Sequence, residues 1–173
     1  VIIDYRENKI DISPKKAGWL AYRRYGIGCD QVILLDDSAD AEVFMNIYNA
    51  DGSQVNACGN ATRCVAQMLM QKSGKNEAVI ETKAGILKAQ RAGENSVTVN
   101  MGEPSFDWKM IPLAEETDVL QLPIKAGPLE RPAAVSMGNP HMVFFMENIE
   151  AINLRVYGKQ LENHPLFPER CNV

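Results

Sequence analysis

One well-marked helix among short strands limits most strongly how this chain can fold. Ala61, Cys64, Val65, Met68 and Leu69 recur at i, i+3, i+4, i+7 and i+8, the spacing of a single helical face. The pattern predicts a helix over 60–72, with Gly74 just past its end, where a left-handed cap is usual. Around this helix the chain reads as strand. Residues 31–36 (QVILLD) form a short apolar run, the mark of a buried strand. Residues 42–48 alternate, with Val43, Met45 and Ile47 on one face, and Asn49-Ala50-Asp51-Gly52 ends them with turn chemistry. Further strands are predicted over 78–82, 86–90 and 96–101, the last two joined by a hairpin over 92–95.

Beyond that hairpin the character changes. Pro104, Pro112, Pro123, Pro128 and Pro132 mark a loop-rich section over 102–132. The reading therefore divides the chain into a domain over 1–103 and a linker with the first part of a second domain over 104–173. Residues 133–137 and 142–146 read as strands interrupted by Gly138-Asn139-Pro140-His141, and Leu154, Tyr157 and Leu161 predict a short helix. Val1-Ile2-Ile3 reads as the middle of a strand and Cys171-Asn172-Val173 as mid-fold, so a longer natural protein is expected.

Composition excludes several function classes. A hydrophobic fraction of 46% and a charged fraction of 23% are ordinary for a soluble globular protein. No apolar run approaches the roughly 20 residues of a membrane span. The net charge of -4 disfavours nucleic acid or an anionic membrane as partner, because both are bound by clustered positive charge. Lys15-Lys16 and Arg23-Arg24 read as solvated surface. The four cysteines include no C-x-x-C pair, and there are only two histidines. A metal site is not expected, nor are disulfides, and a reducing cytoplasm fits best.

Cys58 stands just before the predicted helix. The first turn of a helix has unpaired N–H groups and the positive end of the macrodipole, a setting that favours a thiolate. The N–H groups of Gly59 and Asn60 can hold a carboxylate, as helix N-termini hold anions generally. A base beside a carboxylate cradle suits removal of the proton on the carbon next to that carboxylate. Cys64, on the predicted apolar face, and Cys29 read as inert core residues. In a second cluster, Gly138 and Pro140 force a reversal that projects Asn139 and His141 from its rim, and a histidine there can carry a proton. Either cluster alone is also compatible with a purely structural role.

Together the segments resemble the diaminopimelate epimerase family. The resemblance rests on Gly28-Cys29-Asp30-Gln31, Tyr48-Asn49-Ala50-Asp51-Gly52-Ser53, Cys58-Gly59-Asn60-Ala61-Thr62-Arg63-Cys64, Met137-Gly138-Asn139-Pro140-His141, Glu162-Asn163-His164-Pro165 and Asn172-Val173, in that order. It implies an α+β fold of two similar domains, each a curved mixed sheet wrapped around a central helix, the second incomplete here, with the site in the cleft between them. It implies that Cys58 is the first catalytic cysteine and that Gly59 and Asn60 hold the reacting carboxylate. Gln31, Asn49, Asn139 and Asn172 match positions that line the substrate, and His141 matches the histidine that tunes a cysteine's protonation. On this resemblance Asn49, Asn139 and His141 are expected to approach Cys58 across the shared cleft.

The implied reaction is epimerisation of L,L-diaminopimelate to the meso form, in lysine and cell-wall precursor biosynthesis, by two thiols and without a cofactor. A substrate with an amino-acid group at each end needs many neutral amides around it, which Asn and Gln supply. The family's leading Gly-Asn-Asp-Phe segment is absent before Val1, and Cys171 stands where the family usually has threonine. The second cysteine, in an Ala-Cys-Gly-Thr-Gly segment, and a Glu–Arg pair are expected beyond Val173, so the chain alone is expected to be inactive. A homodimer is one assembly open to it. The alternatives are a proline-racemase-like enzyme, which the Asn49 and Asn139 contexts disfavour, a Cys–His acyl transferase using Cys58 and His141, and a non-catalytic binding fragment.

Overall fold

Why β2 is apolar at every position from Val32 to Leu35 while its neighbour β3 alternates follows from what covers each face of one sheet. The computed structural model describes residues 1–173, which form two units, Val1–Met101 and Gly102–Val173. In the first, the elements run β1 (Ile2–Asp4), α1 (Pro14–Ala21), β2 (Gln31–Asp36), β3 (Val43–Asn49), β4 (Gln54–Val55), α2 (Gly59–Ser73), β5 (Glu77–Thr82), β6 (Gly85–Gly93) and β7 (Ser96–Asn100). The strands make one mixed sheet in the order β1-β2-β3-β5-β6-β7, with β4 paired to β3. The pairs β1·β2 and β3·β5 are parallel and the others antiparallel.

One face of this sheet packs on α2. Ile33, Leu35, Val43, Met45, Ile47 and Ile80 meet Val65, Ala66, Leu69 and Met70. On the other face, Val32 and Leu34 pack against Ala17 and Ala21 of α1. Strand β2 is thus covered on both sides, which requires a continuous apolar run. In β3 only Val43, Met45 and Ile47 are buried, so alternation suffices.

Helix α1 is absent from the sequence reading. Its signals are local and short: Ser13 caps it by accepting from the Lys16 N–H at 3.3 Å, and Pro14 occupies the first turn. Lys15 and Lys16 are exposed, as read. Helix α2 ends at Gly74, whose φ of 73° and N–H bond to the Met70 carbonyl form the left-handed cap. Its buried arc differs from the expected one. Thr62, Ala66 and Met70 are buried with Ala61, Val65 and Leu69, while Cys64 is exposed. At about 100° per residue, adding positions 62, 66 and 70 turns the centre of the arc away from position 64. The β6–β7 hairpin is also tighter than read. The ladder runs to Gly93↔Ser96 through a bulge after Arg91, leaving Glu94 and Asn95 as the turn.

The second unit contains β8 (Lys125–Ala126), β9 (Leu129–Glu130), β10 (Ala133–Ser136), β11 (Pro140–Val143), a 3-10 turn (Ile149–Ala151) and α3 (Leu154–Glu162). β8 pairs with β9 and β10 with β11, both antiparallel. The proline-rich section is loop by backbone and core by side chain. Ile111, Leu113, Leu122 and Ile124 from it are buried with Ala134, Met142, Leu161 and Phe167. Its polar backbone is satisfied locally, as where Leu122 N–H donates to the Pro132 carbonyl at 2.9 Å and Arg131 N–H to Ile124 at 3.0 Å. The reversal before β11 is shorter than expected. Pro140 and His141 lie in the strand, with His141 opposite Val135, and the strand ends at Val143. No helix is long and apolar enough to cross a membrane.

Candidate active site

Cys58 is the N-cap residue of α2, with extended backbone (φ -152°, ψ 110°) and no side-chain capping bond. Its sulfur therefore stands at the helix head without being spent on a first-turn N–H. The Cys58 carbonyl accepts from both the N–H of Thr62, at 2.9 Å, and its hydroxyl, at 2.8 Å. Thr62 is fully buried, so this pair of bonds ties the cysteine to the core. The first turn holds no acidic residue, which leaves the macrodipole uncompensated by side chains.

A cavity of about 760 Å³ opens beside this helix head, lined by Cys58, Asn60, Ala61, Cys64, Cys29, Asp30, Gln31, Asn49 and Arg23 among others. That volume lies in the range of small-molecule sites. The strand register builds its polar side. Gln31 opens β2 directly opposite Asn49, the last residue of β3, and Gln31 Nε2 donates to Asn49 Oδ1 at 3.2 Å. The turn after Asn49 is fixed by Gly52, whose φ is 83°. A Cβ there would lie 2.4 Å from the Pro14 carbonyl oxygen, so only glycine lets the turn seat against the start of α1. Asn60 Oδ1 accepts from the guanidinium of Arg63, one helical turn on, which orients the amide. Gly59 is helical, and a Cβ there would meet Met101 Sδ at 3.5 Å, an ordinary contact.

The first unit thus gathers Gln31, Asn49, Cys58 and Asn60 around one cavity, while Gly59 opens α2 between the last two without lining it. Sequence reasoning missed Arg63, which touches Asn60, and the cavity positions of Cys29, Asp30 and Arg23. Arg23 and Asp30 pair at 2.6 Å at its exposed rim. Cys64 and Cys29, read as inert core residues, both line the cavity. Cys29 is half-buried and Cys64 exposed.

In the second unit, Asn139, His141 and Asn172 come together. His141 Nε2 lies 3.0 Å from Asn139 Oδ1. With that oxygen as acceptor, Nε2 carries the proton and Nδ1 of the neutral ring is an acceptor. Burial pushes the imidazole below its ordinary pKa, which favours the neutral ring. Asn172 continues the sheet edge: it bridges His141, its N–H and Nδ2 both donate to the Pro140 carbonyl, at 2.9 and 3.1 Å, and its own carbonyl accepts from Met142 N–H at 2.7 Å. A smaller cavity of about 280 Å³ adjoins His141 and Asn172 and is otherwise lined mostly by apolar side chains such as Phe144, Met146 and Ile152. Cys171 is buried, its Sγ 3.7 Å from the Leu161 carbonyl. Burial, with a smaller contribution from Glu162, pushes its thiol up to about 11, so it is inert near neutral pH.

A family model described as diaminopimelate epimerase matches residues 1–107. Relatives carrying that name include proteins of Sphingopyxis alaskensis, 50% identical over all of this chain and 62% of that protein, and Acidiphilium cryptum, 46% identical with the same coverage. A third, from Rhodospirillum centenum, is 45% identical over all of this chain and 60% of its own length. The chain therefore spans about 60% of the length of these curated relatives. Among solved structures, a probable proline racemase from Agrobacterium radiobacter K84 matches with a TM-score of 0.54 at 16% identity, over 95% of this chain and 58% of that one. A hydroxyproline epimerase from Agrobacterium vitis matches at 0.50 and 17%, over 90% and 49%. At such identity these two show a shared mixed α+β fold and nothing finer. The family model covers more than half of the chain and the relatives match it from end to end, so the chain belongs to the diaminopimelate epimerase family.

Proposed function

We propose that the protein carrying this chain inverts one α-carbon of diaminopimelate, converting the L,L form to the meso form without a cofactor. The observation that carries this reading is the position of Cys58, at the head of α2 and on the same cavity as Gln31, Asn49 and Asn60, in a chain of this family. The Cys58 thiolate takes the α-proton, and the electron pair stays on the α-carbon, stabilised by the carboxylate held at the helix head. A second thiol on the opposite face, supplied by the rest of the protein, gives its proton to that carbon. Inversion follows because removal and return use opposite faces.

Gly59 and Asn60 hold the reacting carboxylate in this reading, and Gln31 and Asn49 contact the far amino-acid end. In the second unit, read as the first part of a second domain, Asn139 and Asn172 match family positions that contact substrate, and His141 matches the one that tunes a cysteine's protonation. His141, as a neutral ring, accepts or relays a proton for a cysteine. The cytoplasm, where thiols stay reduced, is the setting that suits this chemistry.

The test is full-length protein with L,L-diaminopimelate in deuterium oxide. Meso product with deuterium at the inverted carbon is expected. Cys58→Ala should lower the rate by about a hundredfold to ten-thousandfold, the usual range for a positioned proton-transfer group. Absence of inversion by the full-length protein, or an unimpaired Cys58→Ala variant, overturns the reading.

A further inference from the structure

A directed hydrogen-bond chain runs from the turn after β3 into the cavity. Ser53 Oγ lies 2.6 Å from Asp51 Oδ1, and the same oxygen accepts from Ser53 N–H at 2.8 Å. Asn49 Nδ2 lies 3.2 Å from Ser53 Oγ, and Gln31 Nε2 lies 3.2 Å from Asn49 Oδ1. A carboxylate only accepts, and a serine hydroxyl has one proton. The Ser53 proton therefore goes to Asp51, and Ser53 Oγ faces Asn49 as an acceptor. Asn49 must then turn its NH2 toward Ser53 and its oxygen toward Gln31. Gln31 must in turn donate to that oxygen, which leaves its Oε1 unengaged by the chain.

We propose that Asp51 and Ser53 are positioning residues that set which way the amides of Asn49 and Gln31 face, and so which donors and acceptors the cavity offers to the far end of its substrate. An amide pair alone can be written in two directions of nearly equal energy. The carboxylate at the end of the chain selects one. With that direction, Gln31 offers an acceptor suited to an ammonium group, and Asn49 keeps a second N–H suited to a carboxylate. The proposal rests on the reading of Gln31 and Asn49 as substrate contacts.

Two measurements on the full-length protein test it. Ser53→Ala keeps the Asp51 bond to the backbone N–H but removes the lock. With two amide directions equally populated, KM for diaminopimelate should rise at least about twofold with kcat unchanged, and Ser53→Thr, which keeps the hydroxyl, should restore it. Gln31→Glu cannot donate to Asn49, and Asn49 cannot turn to meet it while Ser53 is locked. In ligand-free protein its loss of thermal stability should therefore be smaller in the Ser53→Ala background than alone, a coupling between residues that share no hydrogen bond. Additive stability effects, or an unchanged KM in Ser53→Ala, overturn the proposal. Because the stability cycle involves no substrate, it reports on the relay even where the wild-type protein fails to turn over diaminopimelate, the result that would sink the functional reading.

Discussion

The Cys58 carbonyl receives both the N–H and the hydroxyl of Thr62, so a buried threonine one turn into α2 holds the residue at its head. Thr62→Val keeps the shape and the N–H bond but removes the hydroxyl. It should cost about 1 kcal/mol, the usual net value of one hydrogen bond, seen as a lower melting temperature. An unchanged melting temperature would mean that the hydroxyl adds nothing to holding Cys58.

Thiol reactivity should follow position rather than exposure alone. Cys64 is exposed and Cys58 half-buried, yet only Cys58 stands at the helix head. Alkylation near pH 7, followed by peptide mass spectrometry, should label Cys58 before Cys64. Cys171, buried and with its thiol raised to about 11, should stay unlabelled until the protein unfolds. Labelling of Cys64 first would remove the electrostatic argument for Cys58.

Acid stability has a local origin. Asp36 accepts from Lys9 at 2.6 Å and from the Tyr5 hydroxyl at 2.8 Å. The Lys9 bond, then the Tyr5 bond, hold its carboxyl down at about 2. A folded-state pKa below the unfolded one adds stability that is present above the unfolded value and lost as pH falls through the folded one. Asp36→Asn should therefore melt below wild type at pH 6, with the gap closing between about pH 4 and pH 2. A gap that persists at pH 2 would show that the loss is not linked to this proton.

Gly127 is held twice. Its φ is 59°, and a Cβ would lie 2.6 Å from the Tyr157 ring. Gly74 has a similar φ of 73° but nothing within 4 Å of a Cβ. Gly74→Ala should cost about 1 kcal/mol, the left-handed penalty alone. Gly127→Ala should cost more, because Tyr157 must move. Equal losses in thermal unfolding would show that the ring yields freely.

The chain of 173 residues, expressed alone, should bind diaminopimelate weakly and not invert it. Its one helix-head thiol can remove a proton and return it only to the same face. Deuterium exchange at the α-carbon without change of configuration is the most activity expected. Conversion to the meso form by this chain would mean that Cys29 or Cys64, on the same cavity, supplies the opposing group.

Much of the first unit was legible because its signals lie within a few residues of one another. The α2 boundaries follow from turn-by-turn spacing and a glycine that tolerates positive φ, and the alternation of β3 follows from one covered face. Cys58 at a helix head is the same kind of local fact. The side to which α2 turns Cys64 was not local, since it depends on which helical arc the sheet buries. Nor was α1, whose short apolar face becomes a helix's worth of burial only against Val32 and Leu34. The proline-rich section reads as loop, yet Ile111 and Leu122 are wholly buried, because core membership is decided by what surrounds a side chain. The direction of the Gln31 and Asn49 amides was furthest from view. It arises only when antiparallel pairing sets residues 18 apart opposite each other, and when the turn brings a carboxylate to the end of their chain.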